Sequence, residues 1–105
     1  MGNLSPWFFE QLLDDLPEIT PDWQVAVVRT GNRDTIEFRL ELRDSAPIEL
    51  VQQAVKRRVQ ERIPDSWRNY ELKLFEFDFR FTSPGQLRSG RKLRRLVDER
   101  VRAWE

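Results

Sequence analysis

The stretch QVAVVRTGNRDTIEFRLELR, residues 24–43, decides the fold. In its second half Ile36, Phe38, Leu40 and Leu42 alternate with Glu37, Arg39, Glu41 and Arg43. Successive side chains of a strand point to opposite faces, so this period of two predicts a strand with one buried and one wet face. The first half, residues 24–30, is rich in β-branched valine and reads as a second strand. Between them Gly31-Asn32-Arg33-Asp34 supplies turn chemistry, with Gly31 free to take a positive φ. Two adjacent strands joined by a short polar turn predict an antiparallel hairpin.

Helices flank this hairpin. Ser5 followed by Pro6 marks a helix start, a capping oxygen and then a fixed φ at the first helical position. Phe9, Leu12, Leu13 and Leu16 fall on one face, Glu10, Asp14 and Asp15 face outward, and Pro17 stops the element. After the hairpin, Asp44, Ser45 and Pro47 open a second helix. Its apolar stripe is Ile48, Val51, Val55 and Val59, opposite Lys56, Arg57, Arg58, Glu61 and Arg62, and Pro64-Asp65-Ser66 ends it. ELKLFEFDFRF, residues 71–81, reads as one long strand whose alternation changes phase, accommodated by a bulge near Leu74 and Phe75 or by burial on both faces. Ser83-Pro84-Gly85 is a turn, and Leu93, Leu96, Val97, Val101 and Trp104 predict a final helix. The expected order is helix, strand, strand, helix, strand, helix. That is an α+β fold with a small three-stranded, ferredoxin-like sheet covered by helices on one side. The connection across the second helix permits parallel pairing.

The chain has 105 residues and a mass of 12.7 kDa, enough for a single domain over residues 1–105 with one modest core. It has no cysteine and no histidine, which excludes disulfides, thiol nucleophiles, Cys-based zinc sites and the Ser-His-Asp type of triad. No metal site is expected. Eighteen basic and eighteen acidic residues give zero net charge, against the excess positive charge of a generic nucleic-acid binder. Residues 1–10 lack a secretory pattern, and the longest apolar run, residues 25–28, is far short of the roughly 20 residues of a membrane span. A cytoplasmic location, away from membrane and nucleic acid, is the expectation.

Charge is unevenly placed. Residues 82–105 carry seven basic groups against three acids, and residues 1–81 carry eleven against fifteen. The sharpest cluster lies in QLRSGRKLRRLVD, residues 86–98, a Gly- and Ser-containing loop suited to phosphate or carboxylate. A charge run of this kind is also compatible with a merely solvated surface. Asp14 and Asp15 are neighbours on a helix and so splay apart, unlike an acid/base pair. The four tryptophans and the Phe75, Phe77, Phe79, Phe81 ladder read as core packing in preference to base stacking. No phosphate-cradling glycine loop and no nucleophile–base pair occurs, so the chain lacks a complete active site.

At PGQLRSGRKLRRLVD, residues 84–98, the sequence resembles the closing segment of the phenylacetate–CoA ligase and CoF synthetase group of adenylate-forming enzymes, which reads much like PGxLPRSEGKAxRVID. Arg88, Ser89, Lys92, Arg95 and Asp98 match without a gap, and Leu96 and Val97 are conservative replacements. Asn3-Leu4-Ser5-Pro6 is similar to the segment just after that group's hinge between large and small domains. The sequence departs from the pattern where Gly90 stands in place of glutamate, Arg91 in place of glycine and Leu87 in place of a proline.

The resemblance implies the C-terminal lid domain of an ATP-dependent acid–CoA ligase. The implied partner is the large N-terminal domain of the same enzyme, preceding Asn3, which holds ATP with Mg and the carboxylic acid. Lys92 occupies the position of the adenylation lysine, and the lid rotates to admit coenzyme A. Arg88, Ser89, Gly90, Arg91 and Arg95 are the implied phosphate- or CoA-binding residues, and Asn3, Ser5 and Pro6 are hinge-proximal. The isolated domain is expected to bind neither ATP nor coenzyme A and to be inactive. The alternatives are a freestanding α+β module that binds a protein or small ligand, or a ferredoxin-like RNA binder.

Overall fold

The computed structural model describes residues 6–43, 47–87 and 93–100. The element order is α1 (Pro6–Leu13), β1 (Gln24–Thr30), β2 (Arg33–Glu41), α2 (Ile48–Arg62), α3 (Pro64–Glu71), β3 (Phe75–Thr82) and β4 (Leu96–Asp98). The fold is α+β, and the strands form one mixed sheet in the order β3-β2-β1-β4.

The hairpin forms as its pattern dictates. β1 and β2 pair antiparallel with Val25 opposite Phe38 and Val27 opposite Ile36. Gly31, at φ 65°, takes the left-handed turn conformation that a side chain would disfavour. β3 adds parallel to β2, with Phe77 beside Ile36 and Phe79 beside Phe38. β4 adds parallel to β1, with Leu96 beside Val25.

One sheet face carries Val25, Ile36, Phe38, Leu40 and Phe75 into the core. Phe9, Leu12 and Leu13 of α1 meet them, as do Val51, Val55 and Val59 of α2, whose spacing of four makes one stripe. Trp67 and Tyr70 of α3 pack on this core from the β3 side. Each fully buried aliphatic or aromatic side chain contributes about 1.5–3 kcal/mol. Arg58 and Arg62 of α2 reach across to Asp15, joining the two helices at the surface. Although desolvation pushes the Asp15 carboxyl up, Arg58 and then Arg62 hold it below its ordinary value.

Several expectations are corrected. The sheet has four strands, where three in a ferredoxin-like arrangement were expected. Pro64 does not simply end the second helix; it opens α3 from the N1 position, where its missing N–H costs nothing. Residues 72–74 are not strand. Lys73 at φ 62° lets its N–H bond the Tyr70 carbonyl at 2.9 Å, while the Leu74 N–H bonds Asn69 at 3.1 Å. This pair of bonds is a Schellman stop. The phase change therefore marks the end of a helix, and Leu72 and Leu74 are exposed. Leu96 and Val97 belong to β4, where a helix was expected, and Val101 and Trp104 of that expected helix lie outside the described residues. The second face of β2 is not uniformly wet, since Thr35, Glu37 and Glu41 are buried. Of the tryptophans, Trp23 is fully enclosed, Trp67 packs at the core margin, Trp7 is 65% exposed and Trp104 lies outside the described residues.

Candidate functional site: the two posts of a basic segment

Of the residues singled out from the sequence, Arg88, Ser89, Gly90, Arg91 and Lys92 lie outside the described residues, as do Asn3 and Ser5. Pro6 is the first residue of α1. Arg95 lies just before β4. The structure describes the chain immediately on either side of residues 88–92, and both flanks are fixed by side chains from elsewhere in the fold.

The upstream post is a carboxylate. Glu41, at the end of β2, is only 1% exposed. Its Oε1 accepts hydrogen bonds from the Gly85 N–H at 2.9 Å and from the Thr20 hydroxyl at 2.9 Å. Its Oε2 accepts from the Leu87 N–H at 2.8 Å. A buried carboxylate is tolerated because such charge-assisted bonds replace its lost hydration. Gly85 sits at φ 89°, and the Gln86 N–H closes the turn on the Ser83 carbonyl at 3.3 Å. The chain thus leaves β3 through a turn whose two amides are held by one carboxylate.

The downstream post is built on β1. Gln24 donates from its side-chain amide to the Arg94 carbonyl at 2.9 Å, and the Val25 N–H donates to the Arg95 carbonyl at 2.8 Å. The Arg95 guanidinium lies 4.5 Å over the Trp23 ring and forms ion pairs with Glu10 at 3.2 Å and Asp14 at 3.4 Å. Trp23 in turn donates its indole N–H to Asp14 at 3.0 Å. Arg95 is therefore turned into the fold, stacked and paired, while its neighbour Arg94 is exposed. Asp14 and Asp15, in the turn just after α1, diverge, the first to Trp23 and Arg95, the second to Arg58 and Arg62.

Beyond β4 two further latches close. Arg39 donates to Glu99 at 2.9 and 3.2 Å, to Glu37 at 2.7 Å and to Gln24 at 2.6 Å. Desolvation pulls the Arg39 guanidinium's pKa down, but Glu99 and Glu37 raise it above the usual value overall. Arg100 bonds Asp98 at 2.7 Å and Asp34 at 2.8 Å. The hydrogen bond from Arg100 holds the Asp98 carboxyl below its ordinary value. Sequence reasoning missed Glu41, Gln24, Trp23 and Arg39 in these roles. The only sequence-level signal was a tryptophan immediately before β1, since alternation had assigned both Glu41 and Arg39 to a solvated face.

Five residues, 88–92, thus connect a clamped turn to a clamped strand, and they carry Arg88, Arg91 and Lys92. Together with Arg94 they carry charge complementary to a phosphate or carboxylate. Among the described residues no group of three acidic side chains is placed to hold a metal ion, and no helix is long and apolar enough to cross a membrane. No curated protein matches the chain. The family model described as AMP-binding enzyme C-terminal domain matches residues 2–100. The chain belongs to the AMP-binding enzyme C-terminal domain family, which makes it one part of an adenylate-forming, ATP-using ligase whose other part is a large N-terminal domain.

Proposed function

We propose that this domain is the moving lid of an acid–CoA ligase of the phenylacetate–CoA ligase and CoF synthetase group, and that Lys92 is its adenylation lysine. The observation that carries the reading is the Lys92 segment itself. It matches that group's closing motif at Arg88, Ser89, Lys92, Arg95 and Asp98 and lies between two clamped flanks.

In the proposed reaction a carboxylate oxygen of the acid attacks the α-phosphorus of ATP. The bond from that phosphorus to the bridging oxygen breaks and pyrophosphate leaves. Charge builds on the oxygens between carboxylate and phosphate, where the Lys92 ammonium stabilises it without any proton transfer. A positioned cation at such a site is worth about 3 kcal/mol. No histidine or cysteine is needed. Arg88, Ser89, Gly90 and Arg91 are proposed to line the same anion, and Arg95, committed to Glu10, Asp14 and Trp23, supports the segment. Asn3, Ser5 and Pro6 are proposed to lie next to the hinge, about which the domain turns to admit coenzyme A. Mg accompanies ATP on the large domain.

The test is ATP–pyrophosphate exchange with a panel of carboxylic acids. The ligase with both domains should exchange, the large domain alone should be slower by about a hundredfold, and this chain alone should show none. Exchange by the chain alone contradicts the reading.

A further inference from the structure

We propose that the outer edge of β3 is a self-association surface, on which a second copy of this chain adds its own β3 antiparallel about a two-fold axis at Phe79.

The edge is open. β3 ends the sheet on one side, and among the described residues only β2 pairs with it. The Leu42 N–H donates to the Thr82 carbonyl at 3.0 Å. Backbone groups alternate in direction along a strand, so Glu76, Asp78, Arg80 and Thr82 bond β2, while the N–H and C=O of Phe77, Phe79 and Phe81 point away from it. The Phe79 N–H agrees with this, since it donates to the Asp78 carboxylate at 2.9 Å. A long edge of this kind is a template for another strand. Its apolar face is also unfinished. Phe38 on β2 is fully buried, but Phe77 and Phe79 beside it, and Phe81, are only partly so. At Phe81 the same face opens into a groove bordered by Leu42, Ile48 and Pro84.

Charge selects the occupant and the register. The other face of β3 carries Glu76, Asp78 and Arg80, all exposed. Outward-facing residues must meet outward-facing residues, so the two-fold can sit at Phe77, Asp78, Phe79 or Arg80. At Phe77 it sets Glu76 against the partner's Asp78, at Asp78 two aspartates together, and at Arg80 two arginines. Like charges directly opposite are destabilising. The centre at Phe79 has none. It sets Asp78 opposite the partner's Arg80, Arg80 opposite the partner's Asp78, and Phe77 opposite the partner's Phe81. Opposite-charge and aromatic cross-strand pairs are both favourable. In the same register Leu74, 63% exposed, falls level with the partner's Pro84 at the groove. The Phe79 N–H exchanges the Asp78 carboxylate for the partner's Phe79 carbonyl, which frees Asp78 for the guanidinium. Such self-complementarity is what a two-fold dimer requires. A pair of eight-residue strands buries less than the roughly 1,200 Å² of a stable complex, so the dimer is weak, half-formed at about 0.1–1 mM.

The experiment is sedimentation equilibrium of this chain from about 10 μM to about 2 mM, with amide hydrogen exchange at both ends of that range. The mean mass should rise from 12.7 kDa toward twice that value. Exchange at Phe77, Phe79 and Phe81 should slow about twofold or more, with Val25 and Phe38 unchanged. Asp78→Arg and Arg80→Asp each create like-charge pairs and should weaken dimerisation at least about tenfold. The double variant restores the pairs in swapped order and should recover the native affinity within about threefold. A mass fixed at 12.7 kDa at the highest concentration overturns the proposal. So does association that leaves the three β3 amides unprotected, since another surface is then responsible. Failure of the double variant to recover refutes the register, and growth beyond a dimer refutes the two-fold. Should a variant not fold, the exchange pattern of the native chain decides alone.

Discussion

The β1–β2 hairpin and β4 lie side by side in one sheet, yet they are held by different means. The hairpin is held by its own pattern. Seven registered pairs run from Gln24 opposite Arg39 to Thr30 opposite Arg33, and its inward residues enter the core beneath α1 and α2. β4 has three residues, half-exposed on average, and its short backbone ladder on β1 is supplemented by side chains from outside it: Gln24, Arg39, Trp23 and Asp34. Apolar burial is non-directional and gives stability. Hydrogen bonds and ion pairs give modest net stability but fix geometry. The region that stabilises the domain and the region that places the basic segment are thus built from different interactions, and substitutions should separate them.

The largest expected effect is in the hairpin. Phe38 is fully buried and stacks on Phe79 with ring centres 5.1 Å apart. Phe38→Ala should cost about 3–5 kcal/mol in urea unfolding. For a domain of this size that removes a large share of the total. A loss under about 1 kcal/mol would break the comparison by showing that the core does not hinge on the hairpin.

A smaller effect is expected where the two regions meet. Arg39→Ala takes the 2.7 Å partner from buried Glu37, which keeps Arg80 at 3.2 Å, and releases Glu99. It should cost about 2 kcal/mol globally. Its signature is local, because amide exchange of β4 should rise by a larger factor than that of β1 and β2. Equal changes in both would mean that β4 is not held by this latch.

The smallest effect sharpens the picture with pH. Asp98 titrates below its ordinary value of 3.8 because Arg100 bonds it. A carboxyl depressed in the folded state contributes stability above pH 3.8 and loses it as pH falls through the folded value. Asp98 is close to half exposed, so the contribution is about 0.5 kcal/mol or less. Asp98→Asn should therefore unfold at slightly lower urea than the native chain at about pH 6, and the gap should close as pH falls through the folded-state value, below 3.8. A gap that widens toward acid would reverse the sign of the argument.

How much of this was legible in the sequence follows the same division. The hairpin was readable because Ile36, Phe38, Leu40 and Leu42 repeat a period of two over enough residues to leave no other reading. β4 was not, since three residues carry no period, and Leu93, Leu96 and Val97 fit a helical stripe equally well. Its partner Val25 lies 71 positions away, and nothing local announces that pairing. Pro64 was misread because proline both stops one helix and starts another. In the candidate site, the closing motif was visible as residues, whereas its supports were not. Glu41 alternates as a surface residue should, and its partners come from distant segments, Thr20 before β1 and the turn after β3.

The central claim is that Lys92 serves adenylation, and one measurement tests it most directly. In the two-domain ligase, single-turnover acyl-adenylate formation is compared with thioester formation from pre-made acyl-adenylate, before and after Lys92→Ala. The account predicts that the first falls on the order of a hundredfold while the second changes little. Lys92→Arg should not restore it, since a planar guanidinium places charge differently. Lys73→Ala, in the turn after α3, should be near normal. If both half-reactions fall equally, or neither falls, Lys92 does not have this role.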